Sequence, residues 1–452
     1  MQFPVRTTGF SRVRGAWHCA VTSSRLAMTT VLLGFSCVGC SSGGQSGGEG
    51  EWEAARDTLG DTLVVRTLSG SVWGDTARLV PEVSIGMFDG PEEYTFGRVY
   101  SLAMGPDGTI YVVDRQVPAL RVYNPDGTYR TTFGRHGGGP GEYARPDGGL
   151  AVLSDGRILL RDPANARIQV YSPEGESLDT WRIRGNFNTS SRMAVDTLDR
   201  AYQIVLLDPE ADVRDWEVGL VQILPDGTPG DTLREPDTGY EPPRIEARQE
   251  TEDGGINASV SGVPFSPDEE AVLTRHGYWI HGISTDYAFT LLKPQGPLRI
   301  EKVQEPVPVA GGEKAEEEAF TVRNMRFTDP NWRWNGPPIP DVKPSYRDIY
   351  PGEDGTIWVR VSAPGFRRED PDYDPTDPLA LPDEWHEPVV FDVFDDQGRF
   401  LGPVTTPEGF SVSPPPLFTR EWVLATTRDE YDVQSVVRFR VELPGEEGSP
   451  DL

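Results

Sequence analysis

Carboxylates at alternate positions can surround a hard cation with oxygen, and the stretch "REDPDYDPTDP" at 368–378 sets Asp370, Asp372, Asp374 and Asp377 in that pattern. A calcium loop of the EF-hand type counted from Asp370 would need Gly at its sixth place and Glu at its twelfth, where Pro375 and Leu381 stand. Asp370, Asp372 and Asp374 are therefore a weak calcium candidate, and a solvated acidic loop is the ordinary reading. His136, His276, His281 and His386 lie in unrelated contexts, with no H-E-x-x-H and no Cys to join them, so the sequence offers no zinc site. No G-x-S-x-G elbow and no Ser, His and Asp set can be assembled either.

Two arginines stand beside acids at the ends of β-rich runs: Arg115 follows Asp114, and Arg161 precedes Asp162. The arginines are candidates to attract an anionic ligand. The acids, with Asn165 and Arg167, read as a local network that ties down the loop after the strand. Trp332 and Trp334 flank Arg333 in "NWRWNGPPIP", and such a pair either forms a platform for a sugar or peptide or packs over the strands beneath. The glycine-rich run "FGRHGGGPGEYARP" at 133–146 can cradle phosphate or turn the chain. It lacks the G-x-x-x-x-G-K-[ST] order and no periodic helix follows it, so turning is the reading adopted.

The elements that must position these residues are short strands and turns. Of 452 residues 49 are Gly and 41 Pro, while 11 Trp, 18 Phe and 15 Tyr supply the bulk of a core. The segment "AMGPDGTIYVVDRQVPALRVYNPDGTY" (103–129) superposes on "AVLSDGRILLRDPANARIQVYSPEGES" (151–177) with a constant offset of 48. That offset aligns Gly108 with Gly156, Asp114 with Asp162, Tyr123 with Tyr171 and Gly127 with Gly175. Periods of about 40 to 50 residues built of short strands are a signature of β-propellers. The first unit reads as four strands, Val99 to Met104, Thr109 to Val113, Leu120 to Tyr123 and Tyr129 to Phe133, joined by Pro-Asp-Gly turns.

The turn between third and fourth strands recurs at Asp126-Gly127, Glu174-Gly175, Asp226-Gly227, Gln295-Gly296 and Gln397-Gly398. A sixth third strand, "SVVRFRVEL" at 435–443, has nothing after it to pair with, and "ARLVPEVSIG" at 77–86 has nothing local before the first unit. Joining the two closes a ring without an exposed sheet edge. The expectation is an all-β, six-bladed β-propeller of four-stranded antiparallel blades over residues 76–445, its last blade closed by the N-terminal strand. Insertions fall near 236–260, 304–342 and 362–388, with a disordered tail at 446–452. A seventh, degenerate blade inside the longest interval is the alternative. "GGEKAEEEAFTVRNMRF" at 311–327 predicts a helix with Ala315, Ala319 and Phe320 inward and Glu316 to Glu318 in water.

The first 39 residues hold Arg6, Arg12, Arg14 and Arg25 and no acid, and the apolar run Leu26 to Val38 is too short to span a bilayer. Residues 1–39 therefore read as a signal peptide. All three cysteines, Cys19, Cys37 and Cys40, fall in or beside it, so the body carries no disulfide. "LLGFSCVGCSSGGQSGGEGE" resembles a bacterial lipoprotein signal with Cys40 as the lipidated residue and 40–75 as a flexible tether and N-terminal extension, although Cys37 stands where Leu is usual. Removing the four arginines takes the net charge from −29 to −33. So acidic a surface argues against nucleic acid and anionic membrane as partners, leaving the lipid anchor as the membrane contact.

"GPGEY", "PDGTIYVVD", "SDGRILLRD" and "DPANARIQVYSPEG" together resemble the NHL-repeat propellers, and more closely the six-bladed propeller lipoproteins of Gram-negative bacteria. The family pattern D-x-x-N-x-R-I-x-V maps onto Asp162, Asn165, Arg167, Ile168 and Val170; blade one departs from it at Val117 and Ala119. The resemblance implies a rigid disc in the cell envelope, in the periplasm or at the outer membrane surface. It implies no single chemistry, because such propellers include scaffolds, ligand binders, lyases and lactonases. The expected function is a binding module for a protein, peptide or glycan. The alternative is a calcium-dependent lactonase, lyase or hydrolase acting at the axial channel, with calcium the one cofactor the sequence entertains. A purely structural envelope component is a third class.

Overall fold

The sequence supplies β-rich runs of about five residues separated by turns whose glycines accept a left-handed backbone, and these runs pair with their chain neighbours into antiparallel sheets. The computed structural model describes residues 51–115, 119–183, 189–208, 217–250, 256–369 and 383–446. Cys40 and residues 1–39 lie outside them. Blade one comprises Val99–Met104, Ile110–Asp114, Ala119–Tyr123 and Tyr129–Phe133, and blade two Leu150–Val152, Ile158–Asp162, Arg167–Tyr171 and Ser177–Arg182. Blade three follows with Ala194–Val195, Ala201–Leu206, Val218–Ile223 and Pro229–Arg234. Blade four is Glu269–Leu273, Trp279–Ile283, Ala288–Leu291 and Leu298–Lys302; blade five is Tyr346–Pro351, Ile357–Val361, Val390–Phe394 and Phe400–Thr405.

Blade six takes Leu417–Phe418, Trp422–Arg428 and Gln434–Glu442 from the C-terminal end and Ala77–Ile85 from the N-terminal end. Ala77–Ile85 runs antiparallel to Gln434–Glu442, with Leu79 opposite Val441 and Ile85 opposite Val436. The ring is therefore six-bladed and closed by both termini. The longest interval holds the helix Gly311–Met325 and a hairpin rather than a seventh blade.

The N-terminal segment does more than close blade six, and here the expected tether over 40–75 needs correcting. Glu53–Leu59 and Thr62–Ser69 form a hairpin, and Thr62–Ser69 pairs in parallel with Leu298–Lys302, the outer strand of blade four. Val64, Val65 and Thr67 are buried there. The chain then crosses to blade five, where the Val72 and Trp73 amides donate to the Phe400 and Leu401 carbonyls at 3.0 and 2.8 Å and Ala77 pairs with Val404. One strap thus spans the rim of three consecutive blades. The Ser/Gly composition that suggested a tether ends at Gly50; beyond it, the alternation of Leu63, Val65 and Thr67 around the Gly60 turn is a strand signal.

Packing between blades explains why the turn glycines repeat. A Cβ on Gly175, at φ +88, would lie 2.2 Å from the ring of Phe133, on the outer strand of blade one. One on Gly127, at φ +84, would lie 2.7 Å from Val83, on the strand that completes blade six. Each turn rests on the preceding blade, and the contact of blade one with blade six continues the pattern across the closure. Aromatic rings join the aliphatic core between blades, as in the Trp358 and Phe418 rings stacked 4.8 Å apart between blades five and six.

Antiparallel alternation puts all links from one blade to the next, and all links between second and third strands, on one face. Three insertions rise there: the hairpin Arg244–Glu250 with Ile256–Gly262, the helix Gly311–Met325, and the hairpin Phe366–Glu369 with Asp383–His386. The helix buries Glu313, Thr321 and Met325, one face at four-residue spacing, and exposes Ala315 and Ala319. This corrects the expected orientation. The Lys343 ammonium captures Glu313 at 2.5 Å and Glu387 at 2.7 Å, so an ion-pair cluster, rather than the alanines, turns the helix. Among the described residues, no helix is long and apolar enough to cross a membrane.

Candidate functional site

The site is built on Asp114, the last residue of the second strand of blade one. Its buried carboxylate accepts the backbone N–H groups of Gly97 at 2.8 Å and Arg98 at 3.1 Å, and the Arg115 amide donates to the Arg98 carbonyl at 2.9 Å. The link from blade six and the exit of the second strand are thereby fixed side by side. Tyr100 sits at an irregularity: Val99 pairs with Asp114 and Ser101 with Val113, leaving Tyr100 as the extra residue, a device that re-aims a side chain. The Arg115 guanidinium lies over the Tyr100 ring, 4.5 Å from its centroid, and that of Arg98 lies at 5.8 Å. Because first strands of neighbouring blades lie against one another, this group stands at the inner end of blade one on the insertion-bearing face.

In blade two the corresponding Asp162 accepts the N–H groups of Ala144 and Arg145, at 3.1 and 3.0 Å. Asn165 donates to Asp162 at 2.6 Å and to the Gly137 carbonyl at 2.9 Å. Arg167 donates to the carbonyls of Gly138, Gly139 and Glu142. The glycine-rich run is therefore held by its carbonyls, and carbonyls facing arginine offer nothing to a phosphate.

Three candidate ligand residues, Arg161, Trp332 and Trp334, take the packed rather than the ligand-facing of the readings open to them. Arg161 is 1 % exposed and bridges to Asp147, whose carboxylate also takes the amides of Gly149 and Thr189 at 3.0 Å each. Its charge is consumed inside blade two, where burial lowers its pKa and raises that of Asp147, so it lines no channel mouth. Trp332 is 3 % exposed; its indole donates to the Glu246 carbonyl at 2.7 Å, and it packs with Ile245, Phe265, Met325 and Ile339. Trp334 is half-buried against the Trp332 ring at 6.2 Å. The pair is a core between hairpin and helix rather than a platform, because two indoles in one insertion are the largest apolar surface available to bury. Asp370, Asp372 and Asp374 lie outside the described residues. Among the described residues, no three His, Cys, Asp or Glu side chains group as a metal site would require.

Sequence reasoning reached Arg115 and missed Arg98 and Tyr100. The repeat carried a usable signal for two of the three: Tyr100 and Arg115 meet Gly148 and Pro163 at the offset of 48, while Asp114 meets Asp162. Arg98 has a counterpart in Arg145, whose amide Asp162 takes as Asp114 takes that of Arg98, so the scaffold and this arginine are repeated and Tyr100 and Arg115 are not.

Sheet order and closure define the chain as a six-bladed β-propeller. Residues 89–197, blades one and two and their flanks, match the DUF5128 family, 6-bladed beta-propeller. Among solved structures, a DUF4221 family member from Bacteroides vulgatus is similar at 10% identity and a TM-score of 0.42, over 82% of this chain and 99% of that one. Virginiamycin B lyase from Staphylococcus aureus is similar at 11% identity and a TM-score of 0.34, over 78% of this chain and 97% of that one. No curated protein matches the chain. At such identities the activity of neither neighbour transfers to this one.

Proposed function

We propose that the chain is a secreted, lipid-anchored interaction module of the cell envelope, an NHL-like propeller anchored through Cys40 that holds a protein, peptide or glycan partner on its insertion-bearing face. The difference between the two faces supports this reading. One face consists of short turns stitched blade to blade, as where the Thr197 amide donates to the Arg275 carbonyl and the Arg420 amide to Asp354. The other carries every described insertion and leaves Phe327 and Phe366 70% and 50% exposed. Exposed aromatics beside a polar rim are the usual anchors of a binding surface.

Peptide and glycan arrays incubated with the mature chain test this. Capture that falls in Phe327→Asp and Phe366→Asp, but not in Leu178→Asp on the rim of blade two, is the expected result. Capture insensitive to both aromatic changes, or no capture at all, overturns it. Retention of Cys40→Ala in the membrane fraction would separately remove the anchor.

A further inference from the structure

We propose that Arg98, Tyr100 and Arg115 form a receptor for a single carboxylate group at the inner end of blade one on the insertion-bearing face. This rests on the binding-module reading and names the chemistry that face takes on blade one. Neither guanidinium has a carboxylate partner among the described residues, in a chain where 71 acidic residues face 42 basic ones. The contrast with blade five is direct. There the strand irregularity at the same place leaves Arg347 as the extra residue, and Glu387 neutralises it at 2.8 Å. Blade one keeps the irregularity and supplies no acid.

The Tyr100 ring lies under the Arg115 guanidinium, 4.5 Å from its centroid, and a planar fork of donors matches the two oxygens of a carboxylate. Asp114 fixes the Arg98 backbone through its amide and the Arg98 carbonyl fixes that of Arg115, so the backbone ordering is done before any ligand arrives. The net charge of the chain repels anions at long range in proportion to their charge, which favours a monoanion over a phosphate dianion. An acidic side chain in a peptide and a small free acid present this same group.

Ligand-observed NMR titration of the mature chain separates these sources with four probes: N-acetyl-Gly-Glu-Gly-amide, its Gln counterpart, acetate and inorganic phosphate. The Glu peptide is expected to bind saturably and the Gln peptide and phosphate not; acetate binding as tightly as the Glu peptide would assign the site to small acids. Arg98→Gln and Arg115→Gln should each weaken the acid about tenfold or more, as loss of a charge-assisted hydrogen bond does. Arg115→Lys should recover part of that loss. Arg130→Gln, the same charge change on the rim, should leave binding intact. Equal binding of the Gln peptide, equal weakening by Arg130→Gln, or no saturable binding of either acid overturns the proposal. Array capture that depends on Phe327 and Phe366 but not on the arginines would remove this site and leave the binding module standing. Arginine-dependent acid binding without array capture would do the reverse.

Discussion

Arg78 and Glu442 face each other across the strand pair that closes the ring, joined by an ion pair although 364 residues separate them. Arg78 is 67% exposed, and the buried Glu442 keeps Arg440 at 2.9 Å, so the pair contributes about 1 kcal/mol or less. The apolar residues around it hold the closure: Leu79, Val437, Phe439 and Val441 belong to one buried cluster. Phe439→Ala is expected to cost about 3 to 5 kcal/mol. Arg78→Ala should stay within about 1 kcal/mol. Urea unfolding checks both, and equal losses would mean that the ion pair holds the closure as strongly as the core does.

Asp147 and Arg161 occupy the places that Val99 and Val113 hold in blade one at the offset of 48. Removing one member leaves a buried charge alone, so Arg161→Val should destabilise by about 3 to 5 kcal/mol. Asp147→Val with Arg161→Val removes both buried charges but leaves the Gly149 and Thr189 amides without their acceptor. The double variant should lie above the single one in stability. A double-mutant cycle in urea measures this, and additive losses would show that the two side chains are not coupled.

Gly60 and Gly175 both have left-handed backbone, but only Gly175 has a ring where its Cβ would go. Gly60→Ala should cost about 1 to 2 kcal/mol from backbone conformation alone. Gly175→Ala adds overpacking against Phe133, typically about 1 to 3 kcal/mol more. Thermal melts of the two variants should separate accordingly.

Glu387 gives the insertion module a dependence on pH. Burial raises its pKa, but Arg347, Lys343 and the Ala363 amide outweigh burial, and the carboxyl ends below its ordinary value of 4.5. A depressed folded value means stability fully present above pH 4.5 and lost as pH falls through the folded pKa. Melting temperature followed from neutral pH down to about pH 3 should fall more steeply in the native chain than in Glu387→Gln. Parallel curves would place the acid sensitivity elsewhere.

The sequence determined the repeating unit because each turn closes a hairpin from residues within reach: Asp126 and Gly127 need only their neighbours, and the offset of 48 follows from copying that local code. It also determined ring closure, since an unpaired first strand and an unpaired last strand leave one economical solution. Tertiary structure alone decided what the charges do. Arg115 and Arg161 stand beside equivalent acids in the sequence, yet one lies over a tyrosine and the other is sealed against Asp147. It likewise decided that Glu313 of the helix faces inward and that the N-terminal strap reaches blade four. Strand and turn are properties of a few consecutive residues, whereas burial of a charge depends on which distant residue arrives to neutralise it, and no local pattern carries that information.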